Sequence, residues 1–470
     1  MIDVILDPAV NLPSNGSPIL IQALTPEEAP ILIDAASDAI RATVDLAMFK
    51  GRAGEVLLIP GTAGGVERVL FGLGAGAISP MAFRALPTRL PAGDYRIDPS
   101  GPADRLGDPD RIALAWMLGT YRFDRYKQKP ADPPPRLFAP PGTDIPRVRA
   151  MGEGCALARD MVNTPANDMG PAEIEAAARA LADDFDASLA VTRGDELIAA
   201  GYPAVHAVGR AAVAARAPRM IEMTWGEADR PLVAVVGKGV AFDTGGLDIK
   251  PSAGMRLMKK DMGGAAHALG LARMIMGLSL PVRLVVLIPA VENAISGDAM
   301  RPGDVLASRN GLSIEVGNTD AEGRLILADA LTRAAELSPD LTIDLATLTG
   351  AARAALGPQV IPFYTADEGL AAGLAAASLA TDDPLWRMPL WDGYEPSLDS
   401  DIADLKNDPD GWAQAGSVTA ALFLRRFAPE GAWVHFDIFA WNPRGRPGSP
   451  VGAEAQAILA IQALLEIRYG

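Results

Sequence analysis

The sequence predicts an α/β protein with two domains: a small N-terminal α/β domain, and a larger C-terminal domain whose mainly parallel central sheet is flanked by helices. Three observations support this interpretation. The chain has 470 residues, more than one hydrophobic core usually organises. A proline-rich stretch, residues 126–146, interrupts it. Beyond that stretch, apolar strand-like segments alternate with segments of helical periodicity, which is typical of a parallel sheet covered on both faces.

In the N-terminal region, apolar patterns bounded by glycine and proline predict a few short elements. They are strands at residues 54–61 and 67–74, and helices at 33–49 and 111–123. The proline-rich stretch suits an extended connector better than a core element. We therefore place the domain boundary near its end, with an N-terminal domain at 1–148 and a C-terminal domain at 149–470.

In the C-terminal region, the same reasoning predicts longer and more apolar elements. The expected strands lie at 231–239, 282–290, 341–348 and 433–440, and the expected helices lie at 262–278, after Glu322 and at the C-terminus. This alternation is the basis for expecting a parallel sheet.

The composition narrows the class of protein. A formal net charge of −16 argues against a general surface for nucleic acids or anionic membranes. The single cysteine, Cys155, excludes an intramolecular disulfide and favours a reducing compartment. The N-terminus has no basic region ahead of an apolar core, as a secretory signal would, and no apolar run reaches membrane-spanning length. We therefore expect a cytoplasmic protein.

A compact charged cluster, NTDAEGRL at residues 318–325, is the first candidate site. It places Asp320, Glu322 and Arg324 close together. The residues before the cluster alternate like a half-buried strand, and those after it have helical periodicity. The cluster should therefore occupy a strand-to-helix turn, where open α/β sheets usually place their ligand sites.

Further charged residues lie near the ends of other apolar segments. The stretch VVGKGVAFDTGGLDIKP supplies Lys238, Asp243 and Lys250, and MKKDMGGAA supplies Asp261 just before a helix. With the cluster at 318–325 the chain offers four carboxylates, and so many like charges in one site need cations among them. Two divalent metal ions would balance the carboxylates and could activate a water for hydrolysis.

The residues by themselves leave alternatives open. The three histidines, His206, His267 and His435, are not spaced like a zinc-binding pair, so a metal site would have to be rich in oxygen ligands. A surface network of ion pairs would explain the acidic cluster equally well. Two other charged residues, Asp248 and Lys259, are typical of solvated positions.

Taken together, three motifs resemble the leucyl aminopeptidase family of cytosolic dinuclear metallo-exopeptidases. They are NTDAEGRL, VGKGVAFDTGGLDIKP and MKKDMGGAA, and the octapeptide is the signature of that family. Further matches are MVNTPAND, MRPGDVL, DLATLTGA and WVHFDI, so the resemblance spans about residues 150–470. The stretch YRFDRYK looks like the end of the family's N-terminal domain.

The resemblance implies an aminopeptidase that hydrolyses the N-terminal peptide bond of peptides and prefers leucine-like first residues. The implied metal ligands, for two zinc or manganese ions, are Lys238, Asp243, Asp261, Asp320 and Glu322. Of these, Asp243 and Glu322 would be shared between the ions. Lys250 would polarise the scissile carbonyl, and Arg324 would hold a bicarbonate that acts as general base. The residues implied to border the first side-chain pocket are Met258, Thr347, Leu348 and Gly350.

Other functional interpretations stay open at this point. The same site could serve a dipeptidase acting on Cys-Gly-like dipeptides, which a comparison of dipeptides with longer amides would distinguish. Some members of the family are DNA-binding architectural proteins, but the acidic net charge of this chain argues against that role. Family members also form homohexamers, so the resemblance implies a hexamer.

Overall fold

The computed structural model describes residues 3–13, 17–62, 64–76, 79–98, 107–129, 132–409 and 414–470. Two units are distinguished by their internal contacts. The N-terminal unit comprises Met1–Glu153 with Arg444–Val451, and the C-terminal unit comprises Gly154–Pro443 with Gly452–Gly470. The α/β fold class predicted from the sequence is confirmed in both units.

The N-terminal unit contains one mixed sheet with helices. Its elements are β1 (Ile5–Leu6), β2 (Ile19–Leu24), α1 (Glu28–Asp34), α2 (Asp38–Ala47), β3 (Val56–Pro60), β4 (Val66–Gly72), a 3-10 helix (Pro80–Ala85), β5 (Asp94–Ile97), α3 (Pro109–Thr120) and β6 (Arg136–Phe138). The sheet order is β1-β6-β5-β2-β4-β3, and the described neighbours pair in parallel except β3 with β4. Its core includes Ile21, Phe71, Tyr95 and Trp116.

Local sequence explains where the helices of this unit begin and end. The side chain of Asp108 accepts hydrogen bonds from the backbone amides of Asp110 and Arg111, and a proline follows it, so α3 starts at Pro109. The single helix predicted over 33–49 is wrong in extent. Ser37 has an extended backbone before α2, and α1 ends at Asp34, so two short helices replace one.

The C-terminal unit is built on a larger sheet. Helix α4 (Ile145–Asn163) crosses the boundary between the units. The elements that follow it are α5 (Pro171–Asp184), β7 (Ser188–Arg193), α6 (Glu196–Ala199), α7 (Pro203–Gly209), a 3-10 helix (Ala214–Arg216), β8 (Arg219–Trp225), β9 (Leu232–Gly237), β10 (Gly239–Asp243), α8 (Ser252–Met255), a 3-10 helix (Met258–Met262), α9 (Gly263–Gly277), β11 (Arg283–Asn293), β12 (Val305–Ala307), β13 (Ser313–Glu315), α10 (Glu322–Glu336), β14 (Leu341–Ala346), α11 (Gly350–Leu356), β15 (Ile361–Tyr364), α12 (Glu368–Thr381), β16 (Leu385–Arg387), a 3-10 helix (Asp392–Leu398), β17 (Leu405–Lys406), α13 (Gly416–Arg425), β18 (Trp433–Asp437), β19 (Trp441–Asn442), β20 (Gly452–Ala453) and α14 (Ile458–Tyr469).

The order of the large sheet is β16-β15-β18-β14-β9-β11-β8-β7, and β10 pairs with the end of β11. Its centre is parallel, because β9 pairs in parallel with both β11 and β14, and β14 pairs in parallel with β18. Within this sheet, antiparallel pairing among the described strands is confined to β8 with β11, β7 with β8, and β15 with β18. The central strand β9 is valine-rich and buried along nearly all its length, as expected of a strand covered by helices on both faces. No helix in the described part of the chain is long and apolar enough to cross a membrane.

His267 shows how tightly α9 is held within the C-terminal unit. Its ring is fully buried. Nδ1 lies 2.7 Å from the carbonyl oxygen of Gly263, and Nε2 lies 3.0 Å from the backbone amide of Gln456. Nδ1 must therefore donate and Nε2 must accept, which only a neutral imidazole can do. Burial lowers the pKa of His267 to about 4, against the opposing effect of Gly263 and Glu454.

We predict that His267 makes the C-terminal unit sensitive to mild acid. The unfolded chain binds a proton near pH 6.5, whereas the folded chain resists protonation down to about pH 4. Stability therefore falls as the pH drops through this window, by about 2 kcal/mol between pH 7 and pH 5. Urea unfolding at both pH values measures the change, and His267→Gln should show a smaller pH dependence than the wild type.

The matched control for this prediction is His206→Gln. His206 is partly exposed and lies outside α9, so this variant should change the pH dependence less than His267→Gln does. Equal pH dependence in wild type and His267→Gln would contradict the assignment of a buried neutral imidazole.

Candidate functional site

The candidate site lies at the carboxyl edge of the large sheet. Lys238 immediately follows β9, Asp243 ends β10, Asn293 ends β11, Thr347 follows β14, and Asp437 ends β18. Because parallel strands end at the same edge, residues far apart in sequence meet there. All of these residues are buried.

The remaining acidic residues come from the starts of two helices. Asp261 lies in the 3-10 helix that leads into α9, and Glu322 is the first residue of α10. Asp320 lies in the turn before α10, where its backbone amide donates to Asn318 Oδ1 at 2.8 Å. The hydroxyl of Thr319 donates to the carbonyl of Gly245 at 2.6 Å and so fixes this turn to the loop after β10. The strand-to-helix turn predicted for residues 318–325 is confirmed.

Two lysines each bridge two of these carboxylates. Lys238 Nζ lies 2.8 Å from Asp261 Oδ2 and 3.0 Å from Glu322 Oε1. Lys250 Nζ lies 2.8 Å from Asp243 Oδ2 and also contacts Asp320. The site is therefore a buried network of alternating charge and not the solvated ion-pair surface that the sequence left open.

Burial and mutual repulsion perturb the titration of the carboxyl groups. Burial, with the nearby charge of Asp243, raises the pKa of Glu322 to about 8 and that of Asp320 to about 6. Burial alone would also raise the pKa of Asp261, but the charges of Lys238 and Lys260 lower it below its ordinary value. Burial opposes the charged form of Lys238, yet its neighbouring carboxylates raise its pKa above the ordinary value.

The arrangement fits divalent metal ions. One carboxylate oxygen from each of Asp243, Asp320 and Glu322 lies within 4.8 Å of the others. Oε1 of Glu322 contacts Lys238 Nζ at 3.0 Å, whereas Oε2 is buried and accepts no hydrogen bond from the part of the chain that the structure describes, which is costly unless a further cation is present. Carboxylate oxygens with a single amine are a donor set suited to zinc or manganese.

Arg324 lies in the first turn of α10 and is buried. Its Nη1 donates to the carbonyl of Asn407 at 2.6 Å, whereas its Nε has no partner among the residues that the structure describes. Burial lowers the pKa of Arg324, but a guanidinium still keeps its charge in a protein. The guanidinium of Arg324 is thus anchored through Nη1, and the N–H of Nε remains available to bind an anion.

A cleft of about 640 Å³ opens onto these residues. Every site residue predicted from the sequence except Glu322 lines it, and Glu322 lies against Lys238. Met258, Thr347, Leu348 and Gly350, predicted to border a substrate pocket, all line the cleft. The hydroxyl of Thr347 donates to Asp261 Oδ1 at 2.9 Å, so this wall is tied to the charged network.

Sequence reasoning missed three residues that support the site. Asn293 Nδ2 donates to Asp243 Oδ1 at 2.8 Å and to the carbonyl of Thr319 at 3.1 Å. Asp437 Oδ1 accepts hydrogen bonds from the backbone amides of Leu348 and Thr349. Both residues end apolar strands, a signal that would have found them. Asn407, which accepts from the amides of Gly317 and Asn318, follows a short strand that the sequence does not reveal.

Two charged residues interpreted as solvated are in fact engaged. Asp248 Oδ2 accepts a hydrogen bond from the backbone amide of Thr319 at 2.8 Å. Lys259 Nζ donates to the carbonyl of Asn163 at 2.6 Å and lies 5.5 Å from the centre of the Trp441 ring. Asp248 is nevertheless exposed, as interpreted. Lys259 is only partly exposed, so its interpretation as a solvated charge was wrong, because its contacts join segments far apart in the sequence.

Gly323 permits the close packing of α10 on Lys238. A Cβ atom at position 323 would lie 2.6 Å from Lys238 Nζ and 2.9 Å from its Cδ. Any side chain there would displace the lysine from Asp261 and Glu322. The glycine in the turn therefore leaves the room that Lys238 occupies beside its carboxylates.

Comparison with known proteins gives a consistent result over nearly the whole chain. The family model described as the cytosol aminopeptidase family, catalytic domain, matches residues 156–460, and that of the M17 aminopeptidase N-terminal domain matches residues 19–140. A curated "Probable cytosol aminopeptidase" of Syntrophotalea carbinolica is 40% identical over 461 residues, which is 91% of this chain and 91% of the relative.

Solved structures agree with the sequence comparisons. A cytosol aminopeptidase from Coxiella burnetii is 44% identical, with a TM-score of 0.92 and full coverage of both chains. The bottromycin maturation enzyme BotP in complex with Mn is 33% identical, with a TM-score of 0.85, covering 96% of this chain and 99% of BotP.

We predict that Gly323→Ala weakens divalent metal binding by about 10- to 100-fold, the range found when a residue that positions ligands is altered. The added methyl group would push Lys238 away from its carboxylates. Isothermal titration with Mn²⁺ and metal analysis of the purified protein measure the effect.

The matched control is Gly297→Ala, because a Cβ at position 297 meets no atom within 4 Å. This variant should bind metal like the wild type. Unchanged metal binding in Gly323→Ala would show that Lys238 can move without consequence for the ligand set.

Proposed function

Because this chain belongs to the cytosol aminopeptidase family, we propose that it hydrolyses the N-terminal peptide bond of peptides with leucine-like first residues, at a site holding two divalent metal ions. The family makes it a metallo-exopeptidase, a hydrolase acting on peptides. The number of ions, the substrate preference and the role of each residue are parts of the proposal.

The observation that carries the proposal is the meeting of five potential metal ligands in one buried network. Lys238, Asp243, Asp261, Asp320 and Glu322 would hold the ions, with Asp243 and Glu322 shared between them. Lys238 and Lys250 neutralise these carboxylates in the metal-free chain. When bound, the ions would supply a nucleophilic water and polarise the substrate carbonyl. Manganese and zinc both suit the donor set, and BotP has been solved with Mn.

Lys250 would act on the scissile carbonyl. Burial opposes its charged form, but Asp243 and Asp320 raise the pKa of Lys250 above its ordinary value, so it stays an ammonium group at neutral pH. Its Nζ faces the cleft beside Asp320. A fixed cation at this place stabilises negative charge on the carbonyl oxygen during the reaction.

Arg324 would hold a bicarbonate ion that serves as the general base. Its unpartnered Nε and its place in the first turn of α10 support this role. Amide groups at the start of a helix and a planar guanidinium both favour a small planar anion. Asn407, by accepting from Nη1, would keep the guanidinium in position.

The first side-chain pocket would be formed by Met258, Thr347, Leu348 and Gly350. Gly350 has no side chain, and a Cβ there would meet only Arg353, at 3.9 Å, so the pocket keeps room for a branched apolar group. Asp437 would hold the backbone of this wall through its hydrogen bonds to Leu348 and Thr349.

We also propose a homohexamer located in the cytoplasm. Both parts rest on the family resemblance and on the description of the relatives as cytosol aminopeptidases. Light scattering would distinguish six chains of 49.1 kDa from a smaller assembly.

The test of the proposed function is hydrolysis of leucine amide by the purified protein before and after chelation. Activity should vanish with the metal and return when Mn²⁺ or Zn²⁺ is added back singly. A leucine peptide with an acetylated N-terminus should not be cleaved. Activity that survives complete metal removal would refute the proposal.

We predict that Arg324→Lys binds both metal ions but turns over more slowly, by about 10²-fold or more, the usual effect of losing a general base. The ammonium group keeps the charge but lacks the fork that holds a planar anion. Added bicarbonate should accelerate the wild type more than the variant in steady-state assays.

The matched control is Arg333→Lys, in the same helix, whose guanidinium pairs with Glu222 away from the cleft. It should keep the bicarbonate response. Loss of metal from Arg324→Lys with an intact bicarbonate response would make Arg324 a structural residue.

A further inference from the structure

Two cationic side chains line the cleft without belonging to the proposed metal or catalytic set. They are Lys260, in the 3-10 helix before α9, and Arg353, in α11. Lys260 is buried and Arg353 is exposed. Neither was singled out by the sequence motifs.

The two cations share one aromatic ring. Lys260 Nζ lies 5.4 Å from the centre of the Phe439 ring, and the guanidinium carbon of Arg353 lies 4.8 Å from it. Phe439 itself lines the cleft. The ring holds both positive charges at the same end of the cleft through cation–π contacts.

Lys260 is only weakly paired. Among the described residues its one carboxylate partner is Asp261, whose Oδ1 lies 3.6 Å from Nζ. Asp261 is already committed, because Lys238 lies 2.8 Å from Oδ2 and the hydroxyl of Thr347 lies 2.9 Å from Oδ1. A buried ammonium group with so little compensation is costly.

Arg353 also lacks a carboxylate partner among the described residues. Within the described part of the chain its guanidinium makes no ion pair, and it lies over the Phe439 ring. Asp437, the other buried carboxylate near this wall, is occupied by the amides of Leu348 and Thr349 and by the hydroxyl of Thr349.

Both cations stand on the walls proposed to receive the first side chain of the substrate. Lys260 lies two positions after Met258, and Arg353 lies one helical turn after Gly350 in α11. Residues three apart on a helix share a face. The pocket thus combines apolar walls with positive charge at the Phe439 end.

We propose that this pocket accepts acidic N-terminal residues, glutamate above all, whose side-chain carboxylate binds Lys260 and Arg353. The methylene groups of glutamate would lie against Met258 and Phe439, where the side chain of leucine would also pack. This specificity rests on the proposed aminopeptidase function. A substrate carboxylate supplies the partner that the cations lack, whereas the neutral amide of glutamine supplies a weaker one.

The test compares hydrolysis of chromogenic amides of glutamate, glutamine and leucine by the metal-loaded protein. The quantity measured is the ratio of kcat/KM for glutamate to that for glutamine, which cancels general effects on catalysis. The wild-type ratio should exceed one. Lys260→Met and Arg353→Met should each lower it by about 10-fold or more, the effect of losing a charge-assisted hydrogen bond.

Two further variants sharpen the test. Arg353→Glu, at an exposed position, should lower the ratio further than Arg353→Met does, because the new carboxylate would repel that of glutamate and could pair with Lys260. Lys259→Met is the matched control, because the neighbouring Lys259 binds the carbonyl of Asn163 and does not line the cleft. Its glutamate-to-glutamine ratio should equal that of the wild type.

The possible failures are distinguishable. Cleavage of leucine amide without glutamate amide, or a ratio unchanged in both methionine variants, would overturn the inference and leave the aminopeptidase function standing. Failure to cleave any amide would overturn both. Arg353→Met could instead lower activity on dipeptides relative to amides. That result would mean that Arg353 binds the C-terminal carboxylate of a dipeptide, and the inference would be wrong.

Discussion

The charge balance at the carboxyl edge of the large sheet is the constraint on which the other features depend. Four carboxylates meet at a largely buried site, and without cations their repulsion would outweigh the packing that brings them together. Lys238 and Lys250 meet this requirement within the chain. Helix α10 must then approach Lys238 closely, and Asn293 and Thr319 must join the loop after β10 to the turn before α10.

The same edge explains why binding and catalytic roles occur on different elements. Parallel strands bring single residues from distant parts of the sequence to one edge of the sheet. The starts of two helical segments bring Asp261 and Glu322 to the same site. Neighbouring segments of the site are joined by hydrogen bonds to the backbone. For example, Asp437 accepts hydrogen bonds from the backbone amides of Leu348 and Thr349. The sheet and these hydrogen bonds hold the ligand atoms in place without an additional structural element.

How much the sequence could predict follows from the kind of signal each residue gives. Asp320 and Glu322 were accessible because a charged turn between a strand pattern and a helix pattern is visible locally. The roles of Lys250 and Arg324 came from family resemblance, since a lysine or arginine beside acids is more often a plain ion-pair partner. The role of Asn407 and the contacts of Lys259 could not be predicted, because a neutral amide side chain and contacts between distant segments produce no periodic pattern in the sequence. The break between α1 and α2 was missed because the apolar pattern continues across it.

Because Gly323 lies against Lys238, the residues that these two positions can accept depend on each other, although the positions are far apart in the chain. A side chain at 323 requires the residue at 238 to move or to be shortened, and either change takes the amine away from its carboxylates. In a duplicated gene that drifts toward a non-enzymatic role, this pair would be an early place for the constraint to relax. A relative with a side chain at the position of Gly323 would therefore be expected to hold metal ions less tightly even if every acidic residue were retained.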